Sequence, residues 1–187
     1  MPVELVIVDR DGVINRDSPE FVRSAAAWCP LDGSLEAIGL MTRAGYTVAV
    51  ASNQSGIGRG LFGRAALYRM HRKMRRLAQR HGGRIDRIVY CPHRPEDGCD
   101  CRKPRPGLLR RLARHYRVPL GDVPVVGDSQ RDLDAATAAG ARPVLVRTGN
   151  GAATERALAA RGEQVETYAD LLGFARALTA ARGARSH

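Results

Sequence analysis

The chain has 187 residues, 44% of them hydrophobic and only 5% aromatic, with a formal charge of +11. That is enough for one domain with a proper core and too little for two, and no apolar run nears the roughly 18 residues of a membrane helix. The basic residues are spread along the chain rather than gathered in a tail, which reads as a solvated, arginine-rich surface, and scarce aromatics weigh against base stacking as the main task. The opening Met1-Pro2-Val3-Glu4 has no basic n-region and the apolar run after it stops at Asp9. No signal peptide is expected, and the chain reads as a cytoplasmic protein. No extra apolar stripe is evident, so a monomer is expected.

Strand and helix patterns alternate. Residues 3–8 are a short apolar run ending in a charged turn, the pattern of a buried strand. Residues 34–44 carry Leu35, Ile38 and Met41 at helical spacing, with Gly45 as terminator. Residues 46–51 read as a second strand. Residues 64–81 read as a basic amphipathic helix, with Leu67, Met70, Met74, Leu77 and Ala78 inward and arginines on the outer face. A third strand is expected over 84–90, then a cysteine-rich loop. Pro104 and Pro106 precede a helix over 107–116. Residues 123–127 read as a fourth strand. Residues 130–139 read as a helix opened by Ser129 and Asp132 in capping-box spacing and closed by Gly140. A fifth strand is expected over 143–147. Two helices around a short strand follow to about residue 182, and the last five residues are expected to fray. This alternation predicts an α/β fold: a Rossmann-like parallel sheet flanked by helices.

The polar residues of interest fall at predicted strand ends, where open parallel sheets bind ligands. Asp9 and Asp11, in Asp9-Arg10-Asp11-Gly12, project to one side if the strand direction persists. Two carboxylates there need a cation or a division of labour. Magnesium suits hard oxygen donors and phosphate partners. Asp9 is placed to attack phosphorus and form an aspartyl phosphate. Asp11 is placed to protonate the leaving oxygen and then activate water. Ser52 and Asn53 open a glycine-rich loop, 52–60, whose hydroxyl and N–H groups suit phosphate oxygens. That loop has neither P-loop nor dinucleotide spacing. Lys103 offers a fixed ammonium for the transferring group, and Arg102 a fork for a second anion. Asp128 can complete a magnesium shell, and Asp132, one helical turn on, is placed either to hold Lys103 or the ligating groups, or to serve only as a helix-start carboxylate.

Cys91, His93, Cys99 and Cys101 lie within eleven residues. Such a set closes a tetrahedral Cys₃His zinc site, fully ligated and therefore structural, over the loop 91–101. The fourth cysteine, Cys29, reads as a small buried side chain.

The aspartate motif, Ser52, Lys103 and Gly127-Asp128 resemble, in order, the four motifs of the haloacid dehalogenase superfamily of phosphohydrolases. Within it, Asp9-Arg10-Asp11-Gly12-Val13-Ile14-Asn15, Asn53-Gln54-Ser55-Gly56-Ile57 and the zinc loop followed by Arg102-Lys103-Pro104 are similar to the heptose-1,7-bisphosphate 7-phosphatase family. The resemblance runs over about residues 3–151. It implies one haloacid dehalogenase-like domain over 1–187 that releases the 7-phosphate on the bacterial route to ADP-heptose and lipopolysaccharide. It implies Asp9 as nucleophile and Asp11 as acid/base. Magnesium would be held by Asp9, the Asp11 backbone carbonyl and Asp128. Ser52 and Lys103 would bind the phosphoryl group, and Asn53, Arg102 and the loop 17–21 the substrate. Ser129 departs from the pattern, because some members carry lysine there. Spacing between the motifs leaves no room for a large cap domain. The expected partner is a small phosphorylated sugar, with neither membrane nor nucleic acid. Zinc-loop histidinol-phosphate phosphatases share most of these motifs, and a zinc-stabilised nucleic-acid module is the alternative of another class.

Overall fold

In a computed structural model, which describes residues 3–185, six parallel strands form one sheet in the order β3-β2-β1-β4-β5-β6. The strands are β1 (Leu5–Val8), β2 (Thr47–Asn53), β3 (Ile85–Cys91), β4 (Pro124–Gly127), β5 (Arg142–Val146) and β6 (Glu166–Tyr168). The helices are α1 (Ser34–Arg43), α2 (Ser55–Gly58), α3 (Arg64–Arg80), α4 (Gly107–Tyr116), α5 (Gln130–Ala139), α6 (Gly151–Ala160) and α7 (Leu171–Arg185).

Helices cover both faces of the sheet, so its central strands are buried on both sides and read as continuous apolar runs. All four residues of β1 are buried. Val6 and Val8 join the cluster built with Ile38, Met41, Met70, Met74 and Phe174, under α1, α3 and α7. Leu5 and Ile7, of opposite pleat, join Leu108, Leu109, Leu112 and Ala136 under α4 and α5. The chain winds outward from β1 in both directions, since β1 pairs with β2 on one side and β4 on the other. That reversal opens a crevice at the strands' carboxyl ends, where Asp9, Ser52 and Asp128 stand.

The sheet, its parallel sense and its major helices agree with the sequence reading, with bounds moved by one or two residues. The one-turn α2 and a 3₁₀ turn over Pro95–Asp97 are additions, too short to show a period. Helix α7 continues to Arg185, so three of the five residues expected to fray are helical; 186 and 187 lie outside the described residues. Cys29 is exposed rather than buried. Its neighbour Trp28 takes the interior position at 0% exposure, leaving Cys29 to face outward. The basic helix α3 does bury Leu67, Met70, Met74 and Ala78. One of its charges is structural: Lys73 Nζ donates to the Ala25 and Trp28 carbonyls, both at 2.7 Å. No helix among the described residues is long and apolar enough to cross a membrane.

Candidate active site

Asp9 follows β1 directly, and its backbone N–H donates to Val126 O of β4 at 2.9 Å. Its carboxylate Oδ1 accepts the Arg10 N–H at 2.7 Å and pairs with Lys103 Nζ at 2.9 Å. Lys103 is 3% exposed; its ammonium also donates to Ala51 O at 2.8 Å and meets Asp132 Oδ1 at 2.6 Å. Asn53 fixes the backbone beneath this ammonium, accepting from Lys103 N at 3.1 Å and donating to Lys103 O at 3.0 Å. Burial alone would lower the lysine's basicity, but Asp132 and Asp9 outweigh it and raise it. The Asp132 reading as a holder of Lys103 agrees with this geometry. The residue also caps α5, where Ser129 N donates to its Oδ2 at 3.1 Å.

Asp128 lies 2% exposed beyond β4. Its Oδ2 accepts Asn150 N at 2.8 Å and Asn150 Nδ2 at 3.2 Å. Gly12 and Gly149 flank that carboxylate with φ of +79° and +56°, and a Cβ on either would stand 2.1 or 2.2 Å from Asp128 Oδ2. Both positions thus need glycine for backbone conformation and for space. Burial pushes the Asp9 carboxyl up to about 7, against Lys103, with Asp132, Asp128 and Asp11 adding to the rise. Burial also pushes Asp128 up to about 6, against the pull of the Asn150 N–H.

Asp9, Asp128 and Asp132 bring ligand-capable oxygens within 4.8 Å of one another. One ammonium faces a half-buried Asp9 and the buried Asp128 and Asp132, so the group carries excess negative charge. Lys103 and Ser129 occupy Asp132, while Asp9 Oδ2 and Asp128 Oδ1 have no protein partner among the described residues. This donor set fits a small hard dication. The Asp11 carboxylate is not part of it.

Asp11 points instead to Arg10, whose guanidinium donates to both its oxygens at 2.8 and 2.9 Å. Asn15 Nδ2 donates to Oδ1 at 2.9 Å. Gln54 Nε2 donates to Asp11 Oδ2 and to Ser52 Oγ, each at 2.8 Å, joining the acid/base candidate to the phosphate-binding candidate. Burial would raise the Asp11 carboxyl, yet Arg10, Asn15 and Gln54 together hold it below its usual range.

Cys91 ends β3, and with His93, Cys99 and Cys101 it forms a compact set. Their sulfur–sulfur and sulfur–Nδ1 separations run from 3.2 to 3.5 Å. A zinc–sulfur bond of about 2.3 Å gives tetrahedron edges near 3.8 Å, so four converging ligands need open by only a few tenths of an ångström. Without a metal the three thiols share protons: against burial, hydrogen bonds from Cys101 and Cys91 lower Cys99, while burial raises Cys91 and Cys101. The residues fit zinc. The loop also anchors the Ser52 segment: Gln54 N donates to Cys91 O at 2.7 Å and Gly58 N to Pro92 O at 3.0 Å.

A HAD-hydrolase-like family model matches residues 100–172. The chain is 53% identical over 152 residues to a D-glycero-beta-D-manno-heptose-1,7-bisphosphate 7-phosphatase of Pseudomonas putida, covering 81% of this chain and 87% of that one. The chain belongs to this family of haloacid dehalogenase-like phosphatases. Its fold superposes on a D,D-heptose 1,7-bisphosphate phosphatase from Bordetella bronchiseptica complexed with magnesium and phosphate. The TM-score is 0.90 at 50% identity, over 94% of this chain and 98% of that one. The corresponding enzyme from Burkholderia thailandensis gives a TM-score of 0.72 at 45% identity, over 94% and 97% of the two chains.

One cavity of about 150 Å³ gathers Asp9, Asp11, Ser52, Asn53 and Arg102 with Asp17, Ser18 and Phe21; Lys103, Asp128 and the zinc ligands are not in its lining. The sequence reading overlooked Gln54, Asn15, Asn150 and Arg131. Gln54 stood inside a quoted motif, and its polar amide next to Ser52 was a usable signal. Asn150 follows β5, a strand end that the rule on carboxyl ends covers equally. Asn15 also stood inside a quoted motif, four residues after the Asp11 it bonds, whereas Arg131 gave no signal because only folding brings it to the cavity.

Proposed function

We propose that the whole chain is a single magnesium-dependent phosphatase domain. It removes the 7-phosphate of D-glycero-D-manno-heptose 1,7-bisphosphate through an aspartyl phosphate on Asp9. The observation that carries the reading is the Asp9 carboxylate itself: half-buried in the cavity lining, anchored through Oδ1 by Lys103 and Arg10 N, with Oδ2 left to attack. The names of the relatives support the sugar, and specify its β anomer. The reading takes a monomer in the cytoplasm, with a small sugar phosphate as its partner and the route to ADP-heptose as its setting.

In the first step Asp9 Oδ2 bonds to phosphorus and the bond to the C7 oxygen breaks. Asp11, protonated and released from Arg10, gives its proton to that leaving oxygen. In the second step the Asp11 carboxylate, returned to Arg10 and Gln54, takes a proton from water as the water oxygen bonds to phosphorus, and Asp9 is regenerated. Ser52 and Lys103 hold the phosphoryl oxygens throughout. Magnesium, held by Asp9, Asp128 and the Asp11 carbonyl, supplies further positive charge to the phosphoryl group when bound. Cys91, His93, Cys99 and Cys101 would hold zinc, which would brace the loop that presents Arg102 and Lys103.

The test is phosphate release from both anomers of the heptose bisphosphate by wild type and Asp9→Asn, with histidinol phosphate and a 3′-phosphorylated oligonucleotide in parallel. Fast release from the heptose bisphosphate that is lost in the variant is expected. Faster Asp9-dependent release from either of the others would replace the substrate and keep the chemistry.

A further inference from the structure

Helix α3 carries six arginines and one lysine and no acidic residue. Arg69, Arg72, Lys73, Arg76 and Arg80 follow one another at spacings of three and four, so they share one face. Like charges at that spacing disfavour a helix. This one forms because its opposite face buries Leu67, Met70, Met74 and Ala78. Four of these cations, Arg69, Arg72, Lys73 and Arg76, line a groove of about 350 Å³ together with Ala25. Lys73 is its fixed point. Two of the three ammonium N–H bonds are held by Ala25 O and Trp28 O, each at 2.7 Å, which leaves one for a ligand. The guanidiniums of Arg69, Arg72 and Arg76 have no hydrogen bond or ion pair among the described residues. Neither a carboxylate nor an aromatic ring lines the groove, and it shares no lining residue with the cavity around Asp9. Uncompensated charge of one sign along a concave surface concentrates counter-ions, and planar forks match phosphate oxygens. From Arg69 to Arg76 the helix rises about 10 Å, more than a single phosphate covers. With no ring to stack on, a nucleobase has nothing to hold it there.

We propose that this groove on α3 is a second anion site, separate from the catalytic cavity, that takes an oligophosphate chain, free or carried by a nucleotide. Arg69, Arg72 and Arg76 are its forks and Lys73 its fixed ammonium. The phosphates are read and the rest of the ligand is not. The site does not depend on which sugar phosphate the catalytic cavity accepts.

The test is titration calorimetry at low salt, without magnesium, using tripolyphosphate, ATP and orthophosphate. The proteins are wild type, the double variant Arg72→Gln/Arg76→Gln, Arg102→Gln in the catalytic cavity, and the control Arg111→Gln/Arg114→Gln. The control removes the same charge from exposed positions of α4, and glutamine keeps a good helix former at each site. Wild type is expected to bind tripolyphosphate about 10-fold or more tighter than orthophosphate, because a longer chain reaches more forks. ATP should match tripolyphosphate within a few-fold. Arg72→Gln/Arg76→Gln should weaken tripolyphosphate about 10- to 100-fold, the loss of two charge-assisted contacts, while Arg102→Gln and the control stay near wild type. An equal loss in the control reduces the effect to overall charge and overturns the site. A loss in Arg102→Gln alone places the anion in the catalytic cavity and overturns it as well. So does a wild type that binds tripolyphosphate no better than orthophosphate, or one that binds ATP far tighter than tripolyphosphate. A short single-stranded DNA and phosphatidylglycerol vesicles are run beside these. Binding of either that depends on Arg72 and Arg76, with no binding of tripolyphosphate, gives this face to a macromolecule or a membrane and overturns the oligophosphate site.

Discussion

Lys103 and Asp132 meet at 2.6 Å, in an ion pair where the two side chains are 2% and 1% exposed. This pair sets the ammonium beside Asp9, and its two halves differ in consequence. Lys103→Met removes the ammonium that pairs with Asp9 and Asp132 beside Asp128 and is expected to cost about 3–5 kcal/mol in the metal-free protein. Asp132→Asn leaves Lys103 its bonds to Asp9 and Ala51 O and relieves crowding of negative charge, so it should cost far less. Its expected signature is a fall in kcat of about 10- to 100-fold, with the ammonium displaced. Denaturant melts and steady-state kinetics on both variants check this.

The pH dependence of stability follows from Asp9 at about 7 and Asp128 at about 6. Both lie above the unfolded carboxylate value of about 4. Between those limits the folded metal-free protein binds more protons than the unfolded chain, so these groups make it less stable as pH rises from about 4 to 7. A bound dication favours the ionised forms and reverses the trend. The increase in Tm on adding magnesium should therefore be larger at pH 7.5 than at pH 5, as read by thermal melts across that range.

Gly12→Ala and Gly149→Ala test the cradle around Asp128. Each places a methyl within about 2.2 Å of the carboxylate, at a φ that alanine tolerates poorly. Both should weaken magnesium binding and lower activity by about 100-fold or more. Magnesium titration of activity is the check, and a wild-type midpoint in both variants contradicts the cradle.

The zinc loop is testable by metal content. One zinc per chain is expected, lost in Cys99→Ser or by chelation, with a lower Tm and reduced activity that magnesium alone does not restore. Elemental analysis beside an activity assay separates this from loss of magnesium.

Much of this site was legible in the sequence because parallel strands deliver their carboxyl ends to one edge. Asp9, Ser52 and Asp128 were found from apolar runs that stop at polar residues. The cysteine loop was legible because its ligands are local. Orientation was not. The Asp11 side chain turns to Arg10 rather than to the carboxylate group, which only the fully buried guanidinium reveals. Cys29 faces outward because Trp28 claims the interior, a choice that single-residue burial tendencies do not express. The contribution of Asn150 depends on a contact with Asp128, 22 residues away in the chain.

The most direct measurement is trapping of the phosphorylated protein. Asp11→Asn, which removes the acid of the first step and the base of the second, is incubated at length with heptose 1,7-bisphosphate and magnesium, wild type being mixed and quenched in parallel, and both acid-quenched samples are mapped by peptide mass spectrometry. A phosphoryl group on the peptide bearing Asp9, absent in Asp9→Asn, is the predicted result. A phosphoryl group on another residue, or none in an enzyme that still turns over, would contradict the assignment of Asp9 as nucleophile.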